Sequence, residues 1–447
     1  MNSAPATESR ARTAPAGAGF APWLLESLTR LSFNSWKAFA SIFLLSLAVR
    51  LVLLSQVPTA RIANGAEAEN IGISLATKGI FGNPYSLPSG YTAHCAPFYP
   101  WLVSLVYRFF GTGYAGNLVR CGLLITAYSA LYGLYPWFAQ KFGFPPAAGV
   151  LAGLISAAIP IKRSAEVFLS WEEPYAAVAV FGLFLLTRRV WRNANGWGLA
   201  VAYGLCWGLA YYMAPALLPL QLAFCALHLI LFRKGSALRV AKWWGVAFMA
   251  TALAIAPWTI RNHARLGAWM FMRSCMGMAL YVANHDDAHP SIAENEVLMR
   301  RAHPFMSRDA ALRVQEIGEV QYNRELLRKT EAWIARRPFA FLSLTAQRLV
   351  YFWLGPLESP ITMIPTLVFT VLALPGLWAM RRDSQRLEFW LFSAAWAIYP
   401  CLYYLVNYVN RYRVPIDWTI MLCASAFLYR KLESATLRAA SASENGR

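Results

Sequence analysis

Residues 38–57 read AFASIFLLSLAVRLVLLSQV. A helix rises 1.5 Å per residue, so a run of about 20 residues crosses the ~30 Å hydrocarbon layer of a bilayer. One charge, Arg50, interrupts the run. Arg30 and Lys37 precede it and no small-residue cleavage site follows. It is therefore expected to persist as an anchor, with the N-terminus on the cytoplasmic side. Composition extends this reading to the whole chain. Of 447 residues, 57% are hydrophobic and 14% charged, against about 25% charged in soluble domains. An ordinary soluble enzyme is excluded. The 18 Trp and 21 Tyr suit membrane–water boundaries, where amphipathic rings settle.

Working outward, apolar runs at 116–138, 147–161, 174–188, 197–213, 215–232, 243–260, 361–380, 387–407 and 414–430 bring the expected number of spans to ten. The expectation is an all-α polytopic membrane protein. A formal charge of +19 invites a nucleic-acid reading. Much of the excess sits in short clusters between apolar runs, such as Arg188/Arg189/Arg192 and Arg381/Arg382/Arg386. That is the pattern of the positive-inside rule, so topology explains the charge and nucleic acid is not an expected partner. Residues 338–355 are expected to form an interfacial or half-buried helix, because a full crossing would place Arg381, Arg382 and Arg386 outside. The organisation is then a cytoplasmic tail and surface helix (1–37), a transmembrane region (38–260) holding a first outer loop (58–115), an extracytoplasmic segment (261–358), a second transmembrane region (359–430) and a cytoplasmic tail (431–447). Of seven Cys, five lie inside apolar runs, and only Cys95 and Cys275 are expected in stretches outside the cytoplasm, where a disulfide can survive. Sequence alone does not show the proximity such a bond needs.

The first outer loop is built like more than a linker. Glu67, Asn70, Ile71, Ser74 and Leu75 recur at helical spacing, and Lys78-Gly79 is a stop. A second, almost wholly apolar helix opens near Ala96-Pro97-Phe98 and runs to Phe110, too short to span and suited to the interface. Glu67 and Glu69 sit at the start of the first helix, where carboxylates are either a solvated face or a site.

The order E-x-x-x-I-x-x-S-L-A (67–76), G-x-x-x-N-P-Y (79–85), G-Y-T-A-x-x-A-P-F-Y-P-W-L (90–102) and F-F-G (109–111) resembles the first periplasmic loop of GT-C-fold glycosyltransferases. The nearest flavour is the bacterial family-39-like group that contains the aminoarabinose and rhizobial galacturonic-acid transferases of lipid A. The likeness continues in Pro257-Trp258-Thr259-Ile260-Arg261-Asn262, Gly277…Leu280-Tyr281…Asn284, Arg336-Arg337-Pro338 and Arg411-Tyr412-Arg413-Val414-Pro415. It covers most of the chain from 38 to 430.

The resemblance implies a GT-C-like bundle in the bacterial inner membrane, its site facing the periplasm. It implies transfer of sugar from a polyprenyl-phosphate donor to a hydroxyl of a glycan, lipid or protein acceptor, with inversion. A hydroxyl is a poor nucleophile and needs a general base; a phosphate departs unprotonated when cations match its charge. One carboxylate and a cationic clamp suffice. No cofactor is required, and a divalent ion stays an option. Glu67 matches the family's first-loop acid, although many relatives carry Asp there, and Glu69 is the alternative. Glu172 or Glu173 matches a second family acid, but both also sit beside Pro174, where carboxylates favour the positive end of a helix dipole.

Substrate-binding candidates are Arg50, Lys162, Arg163, Arg261, Arg411 and Arg413. Arg261 and Arg411 are the nominated phosphate ligands, since bidentate guanidinium suits phosphate oxygens. Attraction to anionic lipid headgroups is the competing explanation for any one Arg. Arg50 facing lipid would cost about 2.5–3.5 kcal/mol, so it either snorkels outward or meets a partner such as Glu67 or a lipid phosphate. The stretch Asn284-His285-Asp286-Asp287-Ala288-His289 gathers metal-capable side chains, but Pro290 works against the helix that would align its histidines. A secondary transporter or flippase for a polyprenyl-linked or anionic substrate is the rival function. It would usually show two similar halves, and no internal repeat is present.

Overall fold

Each apolar run read as a span contains helix, because a backbone in hydrocarbon has to satisfy its own N–H and C=O groups within the segment. The structure is a computed structural model and describes residues 20–63, 66–162, 164–169, 171–194, 196–233, 235–382 and 385–445. Residues 1–19, where a tail was expected, and Arg163 lie outside the described residues. Among the described residues the only extended pairing is two isolated bridges, Gly82 with Tyr91 and Ser291 with Tyr408.

Among the described residues, four helices are long and apolar enough to cross a membrane: Ser35–Ser55, Pro215–Phe232, Ala237–Leu266 and Pro360–Arg382. A fifth span results if Tyr114–Gly133 and Tyr135–Lys141, bent by 40°, are one element. The bend follows from Pro136, whose ring removes an N–H and clashes with the carbonyl four residues earlier. Ten spans were expected. Several of the other apolar runs form shorter helices, Pro146–Ala158 with 13 residues and Trp197–Tyr211 with 15. At 1.5 Å per residue these reach only about 20 Å. The stretches expected to form interfacial helices contain the helices Phe20–Ser32, Phe98–Phe110 and Pro338–Leu354.

Aromatic packing joins the C-terminal helix, Val414–Asn445, to the rest. Trp418 is fully buried and meets Phe138 at 5.3 Å, Phe142 at 5.4 Å and Phe392 at 5.5 Å between ring centroids. Phe138 in turn stacks on Phe181 at 3.8 Å. Such pairs contribute about 0.5–1.5 kcal/mol each beyond the area they bury. Elsewhere small residues bring backbones together, as membrane helix pairs require. A Cβ on Gly204 would lie 2.0 Å from the Ala247 carbonyl, and one on Gly376 2.0 Å from that of Cys423.

Two groups of charges inside the bundle are ion-paired. Arg50, fully buried, binds Glu166 and donates to the carbonyls of Ala157 and Ser156, each at 2.8 Å. Its partner is thus Glu166 in the turn Ala165–Leu169, and it faces the interior instead of snorkelling. Asp417 is shared by Lys162 and Arg413. All seven cysteines, Cys95 and Cys275 included, are free thiols.

Two distant segments merge into one cap. The helix Glu319–Arg336 packs on Met276–Ala283 at Gly277, where a Cβ would meet the Asn323 carbonyl at 2.0 Å. Tyr85, from the 58–115 segment, is buried in the same apolar cluster as Met278, Val314, Tyr322 and Leu326. Glu319 fastens the join, accepting from Tyr85 Oη at 3.2 Å, Ala93 N at 3.0 Å, Ser274 Oγ at 2.5 Å and Thr92 Oγ1.

Candidate functional site

The helix Glu67–Lys78 opens with two acids and closes at Gly79, whose φ of 68° is the left-handed conformation that glycine adopts most easily. Glu69, at the third position, turns back to accept from Ala66 N at 2.9 Å and so caps the helix. The same carboxylate pairs with Arg120 at 3.0 Å and accepts from Tyr99 Oη at 3.3 Å. Both members of the ion pair are 2% exposed. Glu69 is therefore fully engaged in holding this helix to Tyr114–Gly133.

Two residues earlier the side chain points away from that pair, since successive residues advance by about 100° around a helix. Glu67 Oε1 lies 3.1 Å from His303 Nε2. His94 completes a tight group, with one potential ligand atom from each of the three side chains within 4.8 Å of the others. By residue type and spacing this group can hold a divalent ion. The 284–289 stretch does not gather in this way. Asp286 takes Trp333 Nε1 at 3.0 Å, and Asn284 Nδ2 binds the carbonyls of Leu280 and Leu405.

Arg411 engages the second acidic pair. Its Nε lies 3.4 Å from Glu173 Oε1, its Nη1 donates to the Leu169 carbonyl at 3.1 Å, and its guanidinium sits 4.2 Å from the Trp171 ring centroid. Burial works against the Arg411 charge. Glu173, Tyr412, Glu172 and Glu67 together outweigh that and raise its pKa. Glu172 is the perturbed acid: burial and the neighbouring Glu173 carboxylate push it up to about 7, against the pull of Arg273 and Arg411. At neutral pH Glu172 can both hold and release a proton.

Arg261 and Arg273 brace the loop between the two helices. Arg261 donates to the carbonyls of Thr92 at 2.6 Å and Phe81 at 2.8 Å and lies over Trp258 at 4.8 Å. Arg273 Nε donates to the His94 carbonyl at 2.8 Å. Lys162 and Arg413 instead line a small cavity of about 30 Å³, together with Glu166, Asp417, Asn410 and Tyr135. Among the sequence candidates, Glu67, Glu172 and Arg411 thus share one electrostatic neighbourhood. Glu69 pairs with Arg120, Arg50 with Glu166, and Lys162 and Arg413 share Asp417. His94, His303, Arg120 and Glu319 escaped the sequence reading. His94 lies inside the quoted G-Y-T-A-x-x-A-P motif and was the one with a signal; nothing in the sequence connects residue 303 with residue 67.

No protein-family model and no curated protein matches the sequence. Among solved structures, the archaeal oligosaccharyltransferase AglB from Archaeoglobus fulgidus, in complex with an inhibitory peptide and a dolichol-phosphate, aligns with a TM-score of 0.51 at 16% identity. The alignment covers 89% of this chain and 52% of that one. The A. fulgidus oligosaccharyltransferase in its apo form and in complex with Zn and sulfate aligns at TM-scores of 0.48, with 15% and 14% identity, over 89% and 90% of this chain and 52% and 51% of those chains. The chain spans about half the length of the structures it matches. The likeness is one of fold: an all-α membrane scaffold of GT-C type.

Proposed function

We propose that this chain, on its GT-C scaffold, is an integral-membrane glycosyltransferase that moves a sugar from a polyprenyl-phosphate-linked donor to an acceptor hydroxyl. The observation that carries the reading is that Arg411, paired with Glu173, lies over Trp171, and Trp171 packs in the same apolar cluster as Ala68 and Ile71 of the helix that opens with Glu67. In the proposed reaction the acceptor oxygen attacks the anomeric carbon while its proton passes to Glu67. The bond from that carbon to the phosphate oxygen breaks, and its electron pair leaves on the phosphate. Attack from the opposite face inverts the anomeric centre. Arg411 matches the phosphate charge, which is why the leaving group needs no proton. Lys162 and Arg413, held by Asp417, add positive charge in a small cavity of their own, with Arg50 ordering Glu166 on its wall. Arg163 belongs to the same proposal by its place in the sequence. Arg261 orders the loop that carries His94, and Glu69 orders the helix that carries Glu67.

The neighbour in the structural comparison was solved with a dolichol-phosphate and a peptide, which supports a lipid-linked donor here. The acceptor class is a glycan, lipid or protein hydroxyl, and the arrangement of ten spans in a bacterial inner membrane with the site facing the periplasm is part of the proposal. Native mass spectrometry of the purified protein tests it first. A retained polyprenyl phosphate or its glycosylated form is expected, and Glu67→Gln is expected to retain the donor and lose transfer. Wild-type turnover in Glu67→Gln would remove Glu67 as the base. Failure to bind added polyprenyl phosphate would favour a transporter.

A further inference from the structure

Glu67, His94 and His303 have the residue types of a zinc site, yet their hydrogen bonds are arranged for another purpose. A histidine that ligates a metal through one ring nitrogen donates from the other, to a carboxylate or a carbonyl. His94 is compatible with that rule, its acceptor being a hydroxyl. Tyr85 gives its hydroxyl proton to Glu319 at 3.2 Å, so the Tyr85 oxygen accepts from His94 Nδ1 at 3.3 Å. His303 breaks it. Its Nδ1 accepts from the backbone N–H of Phe305 at 3.2 Å. A nitrogen that accepts carries no proton, so the single proton of the neutral ring is on Nε2, 3.1 Å from Glu67 Oε1. Burial lowers the pKa of His303, with Glu67 pulling the other way. The edge-on ring of His94, 5.8 Å away, is depressed further by burial, His303 and Arg273. The accepting Nδ1 makes the His303 ring the neutral form.

We propose that His303 is the positioning residue of this site: its Nε2–H grips Oε1 of Glu67, leaves Oε2 facing the acceptor, and occupies the position a metal ion would need. Ligation through Nε2 would force the proton onto Nδ1, against the Phe305 N–H, so that two donors faced each other. The positioning role rests on Glu67 being the base; the tautomer and the exclusion of metal do not. The arrangement also gives the 261–358 segment a task in the reaction, since it supplies the hydrogen bond that orients a base carried by the 58–115 segment.

The test uses the full chain in lipid nanodiscs with ¹⁵N-labelled histidine, and His303→Gln to assign the His303 signals. The expected spectrum shows a protonated Nε2 and a bare Nδ1 between about pH 6.5 and 8, unchanged by a tenfold excess of Zn²⁺. A protonated Nδ1, or one tightly held zinc equivalent in the wild type that His303→Gln loses, would overturn the proposal. Turnover of the co-purified lipid-linked sugar supplies the second arm. His303→Ala is expected to lower kcat roughly tenfold to a hundredfold with KM unchanged, the scale of one lost hydrogen bond to a charged group. His303→Gln should recover most of the loss, because its amide N–H reaches the same oxygen. An unimpaired kcat in His303→Ala defeats the positioning role. Absence of transfer in the wild type defeats the glycosyltransferase reading instead and leaves the tautomer result standing.

Discussion

Replacing Glu172 with Gln should make the protein more stable at high pH and leave it nearly unchanged at low pH. The carboxyl sits beside Glu173, and burial and that neighbour raise its pKa from 4.5 to about 7. The folded chain therefore keeps a proton that the unfolded chain has already lost between these two values. Stability falls as pH rises through that window, because the unfolded state binds fewer protons. At 1.36 kcal/mol per pH unit, the interval from 4.5 to about 7 corresponds to about 3 kcal/mol of destabilisation, complete above pH 7. Glutamine is neutral throughout and close in shape. The difference between variant and wild type should thus be near zero below about pH 4, stay under about 1 kcal/mol at pH 5, and reach about 3 kcal/mol in favour of the variant at pH 8. Arg273 and Arg411 keep their charge over this range, and the histidines titrate in both proteins and cancel. Intrinsic fluorescence of the 18 Trp follows the melt in detergent across the pH series. A difference in melting midpoint that stays flat from pH 5 to 8 would refute the argument, as would one that grows in the opposite sense.

Two further predictions concern the scaffold. Glu69→Gln or Arg120→Met alone should each cost about 3–5 kcal/mol, because one charge of a buried pair is left uncompensated, and the double variant should regain most of that in the same melts. If each single variant melts like the wild type, the pair does not anchor the first-loop helix. Gly204→Ala should cost about 1–3 kcal/mol, since its Cβ would meet the Ala247 carbonyl at 2.0 Å, whereas Gly182→Ala, with open space around it, should not destabilise. Equal melting midpoints for the two would contradict the close crossing of Trp197–Tyr211 and Ala237–Leu266.

Helices were the legible part of this fold. The run 38–57 and the helix Ser35–Ser55 nearly coincide, and the stop at Lys78-Gly79 is where Gly79 turns left-handed. Backbone hydrogen bonding, chain length and glycine chemistry are local, so a few neighbouring residues suffice to reveal them. The number of spans was less legible. Apolar character marks burial in lipid and burial in protein alike, and a 15-residue helix such as Trp197–Tyr211 fits both. At the site, Glu67 and Glu69 looked interchangeable in sequence and differ entirely in surroundings. One is spent on Arg120, Tyr99 and a helix cap; the other faces His303.

The sequence by itself thus determined that this is an all-α membrane chain, where most of its helices lie, and which acids and arginines were worth following. Only the tertiary structure decided the pairings: Arg50 with Glu166, Arg120 with Glu69, Glu67 with His303, Arg411 with Glu173. The physical reason is the low dielectric of the interior. A buried charge has to meet its partner within a few ångströms, and that partner is selected by how helices remote in sequence pack. No spacing along the chain encodes that choice.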